Sequence, residues 1–437
     1  MKFVSVNGQS PAVHFRDALF NGIAPDGGLY IPEYLPALRA SFLSGVKNTS
    51  LQQIGEAVGS LFIDDIPESN LRSIIEQSWN FPIPLNKLEN NIYLLELFHG
   101  PTLAFKDIGA RFMAQSLSYF MREKKRNVTI LVATSGDTGS AVAHGFLNVP
   151  NIDVFILYPS GKISKLQELQ MTTLGGNIHA IEVEGTFDDC QRLVKETLAD
   201  REAVEKKNLT TANSINLGRL IPQIVYYVWA YAQWKNLNPD SPQSPVVIVP
   251  SGNFGNITAA VYAKCMGIPF QYIIAATNAN DTVPRYFQTG KYQSKPSVQT
   301  YSNAMDVGNP SNFSRLQKLY QNDLPRMAKD ITSVSISDEE TLSEIRLTYE
   351  RTNVILDPHT AVGVSAMRKT SNDTPDSPVI IAATAHPSKF PEVIAKAIRQ
   401  NIPLHPYLKE ALNGGKQSQK INADYRIWKA LFLNSLL

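Results

Sequence analysis

Val128-Thr129-Ile130-Leu131-Val132-Ala133-Thr134-Ser135-Gly136-Asp137-Thr138-Gly139-Ser140-Ala141 decides the fold of this chain. The β-branched run reads as a buried strand, Ser-Gly-Asp-Thr-Gly as a tight turn, and the residues through Phe146 as a helix. The alternation continues outward. Residues 154–158 read as a strand and 165–174 as a helix; 178–183 is a strand and 187–199 a helix. Residues 246–249, 271–275 and 379–382 supply further strands. Strand and helix in turn mean βαβ units, hence an α/β fold with a parallel sheet covered by helices on both faces.

The first 90 residues differ. Apart from the turn Asp26-Gly27-Gly28 they look mainly helical, which sets 1–90 apart as an N-terminal cap and leaves 91–437 as the main body. Loops are expected over 237–245 and 370–377, and a mobile Gly-, Ser- and Gln-rich stretch over 413–418. With 437 residues and 43% hydrophobic content, the chain can bury a large core and more than one domain is expected. A net charge of +2 with scattered Lys and Arg gives no argument for nucleic acid or an acidic membrane surface. No apolar run is long enough for a membrane helix, the N-terminus does not read as a signal peptide, and two distant cysteines, Cys190 and Cys265, fit a reducing cytoplasm. The seven histidines show no metal-binding spacing.

The strand–glycine loop–helix design occurs a second time, in Val247-Ile248-Val249-Pro250-Ser251-Gly252-Asn253-Phe254-Gly255-Asn256-Ile257-Thr258. Glycines let the backbone turn sharply and approach a ligand, while the N–H groups of the first helical turn face outward with partial positive charge. One such turn is equally what chain reversal alone demands. Two in one protein point to two small anions held side by side at the carboxyl ends of strands. Neither is a nucleotide motif. A lone lysine, Lys106, ends the apolar run Leu103-Ala104-Phe105 after a Gly100-Pro101 turn. By itself it could be a surface lysine at a helix start. Beside two anion loops, a desolvated amine fits a Schiff-base lysine for a cofactor with an aldehyde and a phosphate, which is pyridoxal phosphate.

Phe105-Lys106-Asp107, the 135–139 loop, the 251–256 loop and Ala383-Thr384-Ala385-His386 stand in the order found in the threonine synthase family, and Phe15 to Pro32 resembles the N-terminal domain of its bacterial and fungal branch. The resemblance covers nearly the whole chain. It implies a fold-type II (tryptophan synthase β-like) pyridoxal-phosphate enzyme with parallel or mixed sheets flanked by helices, in two α/β subdomains with the active site between them. It implies that Lys106 carries the cofactor and moves protons, that Gly252, Asn253, Phe254 and Asn256 hold the cofactor phosphate, and that Thr384 offers its hydroxyl to the pyridine nitrogen. Ser135, Gly136, Asp137 and Thr138 would take the substrate α-carboxylate. Asn213, Ser214 and Arg219 would take a substrate phosphate, Arg because its planar fork pairs two phosphate oxygens. Many fold-type II enzymes carry Asn where this chain has Asp137; a carboxylate cannot donate unless protonated, so the particular role of Asp137 stays open.

The implied reaction converts O-phospho-L-homoserine and water into L-threonine and phosphate, in a cytoplasmic monomer or homodimer with no metal, membrane or nucleic acid. A serine/threonine dehydratase or cysteine synthase is the nearest rival, although those hold the cofactor phosphate with consecutive glycines. A non-catalytic small-anion-binding relative is the rival from another class, and the intact Lys106 argues against it. Asp357-Pro358-His359-Thr360 reads as a helix cap, and His386 as the structural opening of a helix. Residues 306–312 resemble a family segment near the pocket.

Overall fold

The computed structural model describes residues 1–122, 127–134, 136–370 and 377–435. Its strands, among the described residues, are β1 (Phe3–Ser5), β2 (Tyr30–Pro32), β3 (Leu85–Glu89), β4 (Ile92–Glu96), β5 (Val128–Ala133), β6 (Ile152–Pro159), β7 (Ile178–Glu184), β8 (Leu209–Thr211), β9 (Val246–Pro250), β10 (Ile273–Thr277), β11 (Ile331–Ser335), β12 (Val379–Ala383) and β13 (Gln419–Asn422). They form two large sheets. A six-stranded sheet has the order β11-β10-β9-β12-β4-β3, parallel except for the β3–β4 pair. A five-stranded sheet, β13-β7-β6-β5-β8, is parallel throughout. β1 and β2 make a small antiparallel pair in the N-terminal region.

Alternation along the strands explains the layers. Val247 and Val249 of β9, with Ile130 and Val132 of β5, belong to one large core shared by both sheets. Their neighbours face outward: Ile248 joins a cluster with Ile381 and Val362, and Leu131 joins Phe155 and Trp428. Strands buried on both faces are apolar at nearly every position, as β9 and, apart from Thr129, β5 already are in sequence. The helix Leu217–Leu237 is apolar almost all round and runs through the shared core, buried from Leu217 to Val228. No helix among the described residues is long and apolar enough to cross a membrane.

The N-terminal region is mainly helical, with helices Phe15–Asn21, Ala40–Gly45, Leu51–Phe62 and Glu68–Ser78. It packs into the same core: Trp79 stacks on Phe112 at 5.7 Å and its indole N–H donates to the Ile108 carbonyl at 3.1 Å. The main sheet begins at Leu85, because β3 pairs with β4. The 237–245 loop is as expected; of the 370–377 loop, 371–376 lie outside the described residues. The 413–418 stretch is tethered rather than mobile. Lys416 Nζ pairs with Glu168 and Glu182 at 2.6 Å each, and the Gln417 N–H donates to the Thr172 carbonyl at 2.7 Å. Its Gly and Gln content speaks of turns, while long-range ion pairs hold it in place.

Candidate active site

Both glycine loops open at the carboxyl ends of parallel strands, one in each sheet, and they line a single cleft of about 370 Å³. Lys106 enters from a third direction. Leu103 takes a left-handed φ of 58°, and Ala104 then bridges antiparallel to Ala385. The Phe105 N–H donates to the Thr384 carbonyl (2.9 Å) and the His386 N–H to Leu103 (3.0 Å). This short pairing brings Lys106, the first residue of the helix Lys106–Arg122, beside Thr384 at the end of β12; both line the cleft. Burial lowers the Lys106 amine to about 8; Asp137 opposes this, and Arg219 and Lys389 add to it. The neutral amine that Schiff-base formation needs is therefore reached far closer to neutral pH than for an ordinary lysine.

In the loop after β9, Gly252 is required by close approach: a Cβ there would meet the Met305 backbone at 2.6 Å. Phe254 holds a left-handed φ of 60° and caps the helix Gly255–Cys265, with its ring buried edge-on against Phe313. Asn256 Nδ2 donates to the Pro250 carbonyl (2.7 Å), and its Oδ1 accepts from the Ser251 hydroxyl (2.6 Å) and the Ile257 N–H (3.0 Å). Asn253 Nδ2 donates to the Ser214 hydroxyl at 2.7 Å, and its Oδ1 accepts from the Ser311 N–H. These side chains thus shape the loop at the start of the helix Gly255–Cys265.

In the loop after β5, Thr134 Oγ1 accepts from the Gly136 and Gly139 N–H groups at 3.1 and 2.8 Å. Gly136 has φ 149°, and a Cβ on it would meet the Gln167 side chain at 2.7 Å. Ser135 lies outside the described residues. Asp137 and Thr138, at the start of the helix Asp137–Phe146, line the cleft; Gly136 and Phe254 are not among its lining. Asn213, Ser214 and Arg219 complete the wall. Arg219 is buried at 3% exposure; its Nη1 donates to the Ala212 carbonyl at 2.6 Å, while its Nε has no partner among the described residues. Burial lowers it to about 10, so it stays cationic at neutral pH. A buried cationic donor left without an acceptor is costly unless an anion joins it.

The sequence chemistry missed part of the lining. His359 faces the cleft: its Nδ1–H donates to Asp357 (2.8 Å), and its Nε2 accepts the Ala304 N–H (3.2 Å). Asp357 does cap the helix Pro358–Lys369 as expected, accepting the N–H groups of His359 and Thr360. His386 caps the short 3-10 helix Pro387–Lys389. Asp306, in the segment flagged as near the pocket, lines it; burial pushes its carboxyl up to about 6, against hydrogen bonds from Thr300 and Asn278.

Comparison with known proteins agrees with this geometry. Residues 79–385 match the pyridoxal-phosphate dependent enzyme family, 2–79 the threonine synthase N terminus and 360–431 the threonine synthase C-terminal region. Threonine synthase of Haemophilus influenzae is 39% identical over 438 residues, covering all of both chains. This chain belongs to the threonine synthase family. The crystal structure of threonine synthase from Escherichia coli superposes with TM-score 0.93 at 39% identity over the whole of both chains. Pyridoxal-phosphate-bound threonine synthase from Brucella melitensis gives 0.91 at 33% identity over 99% of each. The chain is therefore a fold-type II enzyme that uses pyridoxal phosphate, and its residues fit that cofactor: a lysine with a lowered proton affinity, a glycine where only backbone can pass, and a helix start opening on the cleft.

Proposed function

We propose that the protein catalyses its family's reaction, with O-phospho-L-homoserine and water as substrates and L-threonine and phosphate as products, and that the site residues divide the work as follows. The backbone N–H groups around Gly252–Asn256 hold the cofactor phosphate, with Asn253 and Asn256 keeping the loop in shape. Thr384, at the end of β12, would offer its hydroxyl to the pyridine nitrogen of the bound cofactor. The loop ending at Thr138 takes the substrate α-carboxylate on a helix N-terminus. Asn213, Ser214 and Arg219 take the substrate phosphate and stabilise it as it leaves. Bound pyridoxal phosphate supplies the electron sink for the carbanion. Lys106 carries the cofactor at rest, then takes the proton from Cα and returns protons to the carbon chain.

The observation that carries this reading over a dehydratase is the second anion site. Arg219 lines the cleft and has a buried Nε without a partner among the described residues, and Asn253 ties the cofactor loop to Ser214. A dehydratase acting on serine or threonine has no second anion for it. The purified enzyme with pyridoxal phosphate should release phosphate from O-phosphohomoserine and little ammonia from serine. Ammonia release from serine at comparable efficiency would favour the dehydratase. The division into an N-terminal domain over 1–90 and a two-part catalytic region over 91–437, a cytoplasmic location consistent with two free cysteines, and a monomer or homodimer belong to the same proposal.

Asn256→Ala should weaken cofactor binding by about one to two decades, because it removes hydrogen bonds within a buried loop worth about 1–3 kcal/mol. Equilibrium dialysis against pyridoxal phosphate measures this. Unchanged cofactor affinity with loss of substrate affinity alone would mean the two anion loops are assigned the wrong way round.

A further inference from the structure

Lys389 lies outside the lining of the cleft, yet it is buried at 0% exposure and its charge is spent on the site. Its ammonium pairs with Asp137 Oδ1 at 2.8 Å and donates to the Thr102 carbonyl at 2.7 Å. Gln167 Nε2 donates to the same Asp137 oxygen at 3.0 Å. Thr102 in turn gives its N–H and hydroxyl to Asp107, next in sequence to Lys106, at 2.9 and 2.6 Å. Four segments distant in sequence are thus joined behind the cofactor lysine through one ion pair. A buried pair of this kind is weak evidence for stability alone, because desolvation offsets its attraction.

Asp137 cannot donate a hydrogen bond as the Asn of many relatives would. Facing Lys106 alone, a buried carboxylate would instead hold the lysine's proton in place. We propose that Lys389 is a positioning residue that neutralises Asp137 and fixes its orientation, so that the carboxylate does not pin the proton on Lys106 or repel the substrate carboxylate. This rests on Lys106 being the cofactor lysine.

The charges around the pair are consistent with that role. Burial would raise Asp137, but Lys389 and Lys106, with His359 farther off, hold it well below the ordinary carboxylate range. Lys106 faces Asp137, Arg219 and Lys389. Asp107, pushed up to about 6 by burial, faces Lys389 and Arg111.

The test is competitive labelling of the full-length apoprotein with acetic anhydride across pH, with the Lys106 peptide quantified by mass spectrometry. Labelling follows the neutral amine, so its midpoint reads the proton affinity of Lys106 without requiring turnover. Asp137→Asn keeps the shape and an acceptor for Lys389, but leaves that cation uncompensated; the midpoint should fall by about one unit or more. Asp137→Asn/Lys389→Met removes both charges and should return it to within about half a unit of the parent. No shift in Asp137→Asn, which needs only the isosteric variant, would overturn the proposal. So would a double variant that titrates like Asp137→Asn, since Lys389 would then be structural only. Failure to make threonine would instead count against the proposed reaction and leave this result untouched.

Discussion

Lys106→Ala should lose activity to background and lose the covalent bond to the cofactor. The lysine sits where the 103–105 and 384–386 segments pair, and its Nζ has no hydrogen-bond or ion-pair partner among the described residues. Removing it therefore breaks no hydrogen bond or ion pair, only a contact over the Phe105 ring at 5.9 Å. It does remove the nucleophile that binds the aldehyde and the base that takes the α proton. The loop at Gly252–Asn256 is untouched, so the cofactor should still bind non-covalently. Borohydride reduction followed by peptide mapping separates the cases. The parent should carry reduced cofactor on the Lys106 peptide, and the variant should carry none. Near-normal turnover in the variant would remove Lys106 from the chemistry.

Arg219→Ala should cut kcat/KM for O-phosphohomoserine by roughly one and a half to three and a half decades. Removing one partner of a buried, hydrogen-bonded charge pair costs on the order of 2–5 kcal/mol. Arg219 qualifies because it is cationic, 3% exposed and has a free Nε. The cofactor should still bind, since its loop is shaped by Asn253, Asn256 and Phe254. A slow side reaction with serine or threonine should change little, because those substrates offer no phosphate. Steady-state kinetics on both substrate types check this. Equal losses for phosphorylated and unphosphorylated substrates would make Arg219 structural, with its guanidinium holding only the Ala212 carbonyl.

Local patterns carried much of the fold. The stretch from β5 to the helix Phe187–Ala199 is legible because apolar runs mark the strands and Ser164 and Thr186 cap two of the helices. Local pattern alone did not divide the strands between two sheets; two α/β subdomains were implied only by the family resemblance. β12 sits between β9 and β4, and β8 beside β5, pairings between distant segments that no local pattern encodes. β8 is three residues long, and β13, Gln-Lys-Ile-Asn, is an edge strand with mostly exposed polar side chains, so neither shows the apolar signature of the central strands.

The site divides similarly. Lys106, Thr384 and the two glycine loops stand out because turn geometry and anion binding both require Gly, Ser and Asn in short order. His359 was visible only as part of a helix cap, although Asp357 orients it toward the Ala304 backbone at the cleft. Lys389 had no local signal. Its neighbours Pro387 and Ser388 mark a short helix start, and only the folded chain brings it against Asp137.

The most direct test of the central claim is turnover of O-phospho-L-homoserine in ¹⁸O-labelled water, with phosphate, threonine, homoserine, ammonia and 2-oxobutanoate followed together. Loss of the γ-phosphate by C–O cleavage and addition of water at Cβ predicts equimolar phosphate and threonine, the label in the threonine hydroxyl and none in the phosphate. Labelled phosphate with homoserine would show simple ester hydrolysis, and ammonia with 2-oxobutanoate an elimination that stops short of water addition; either result would contradict the account.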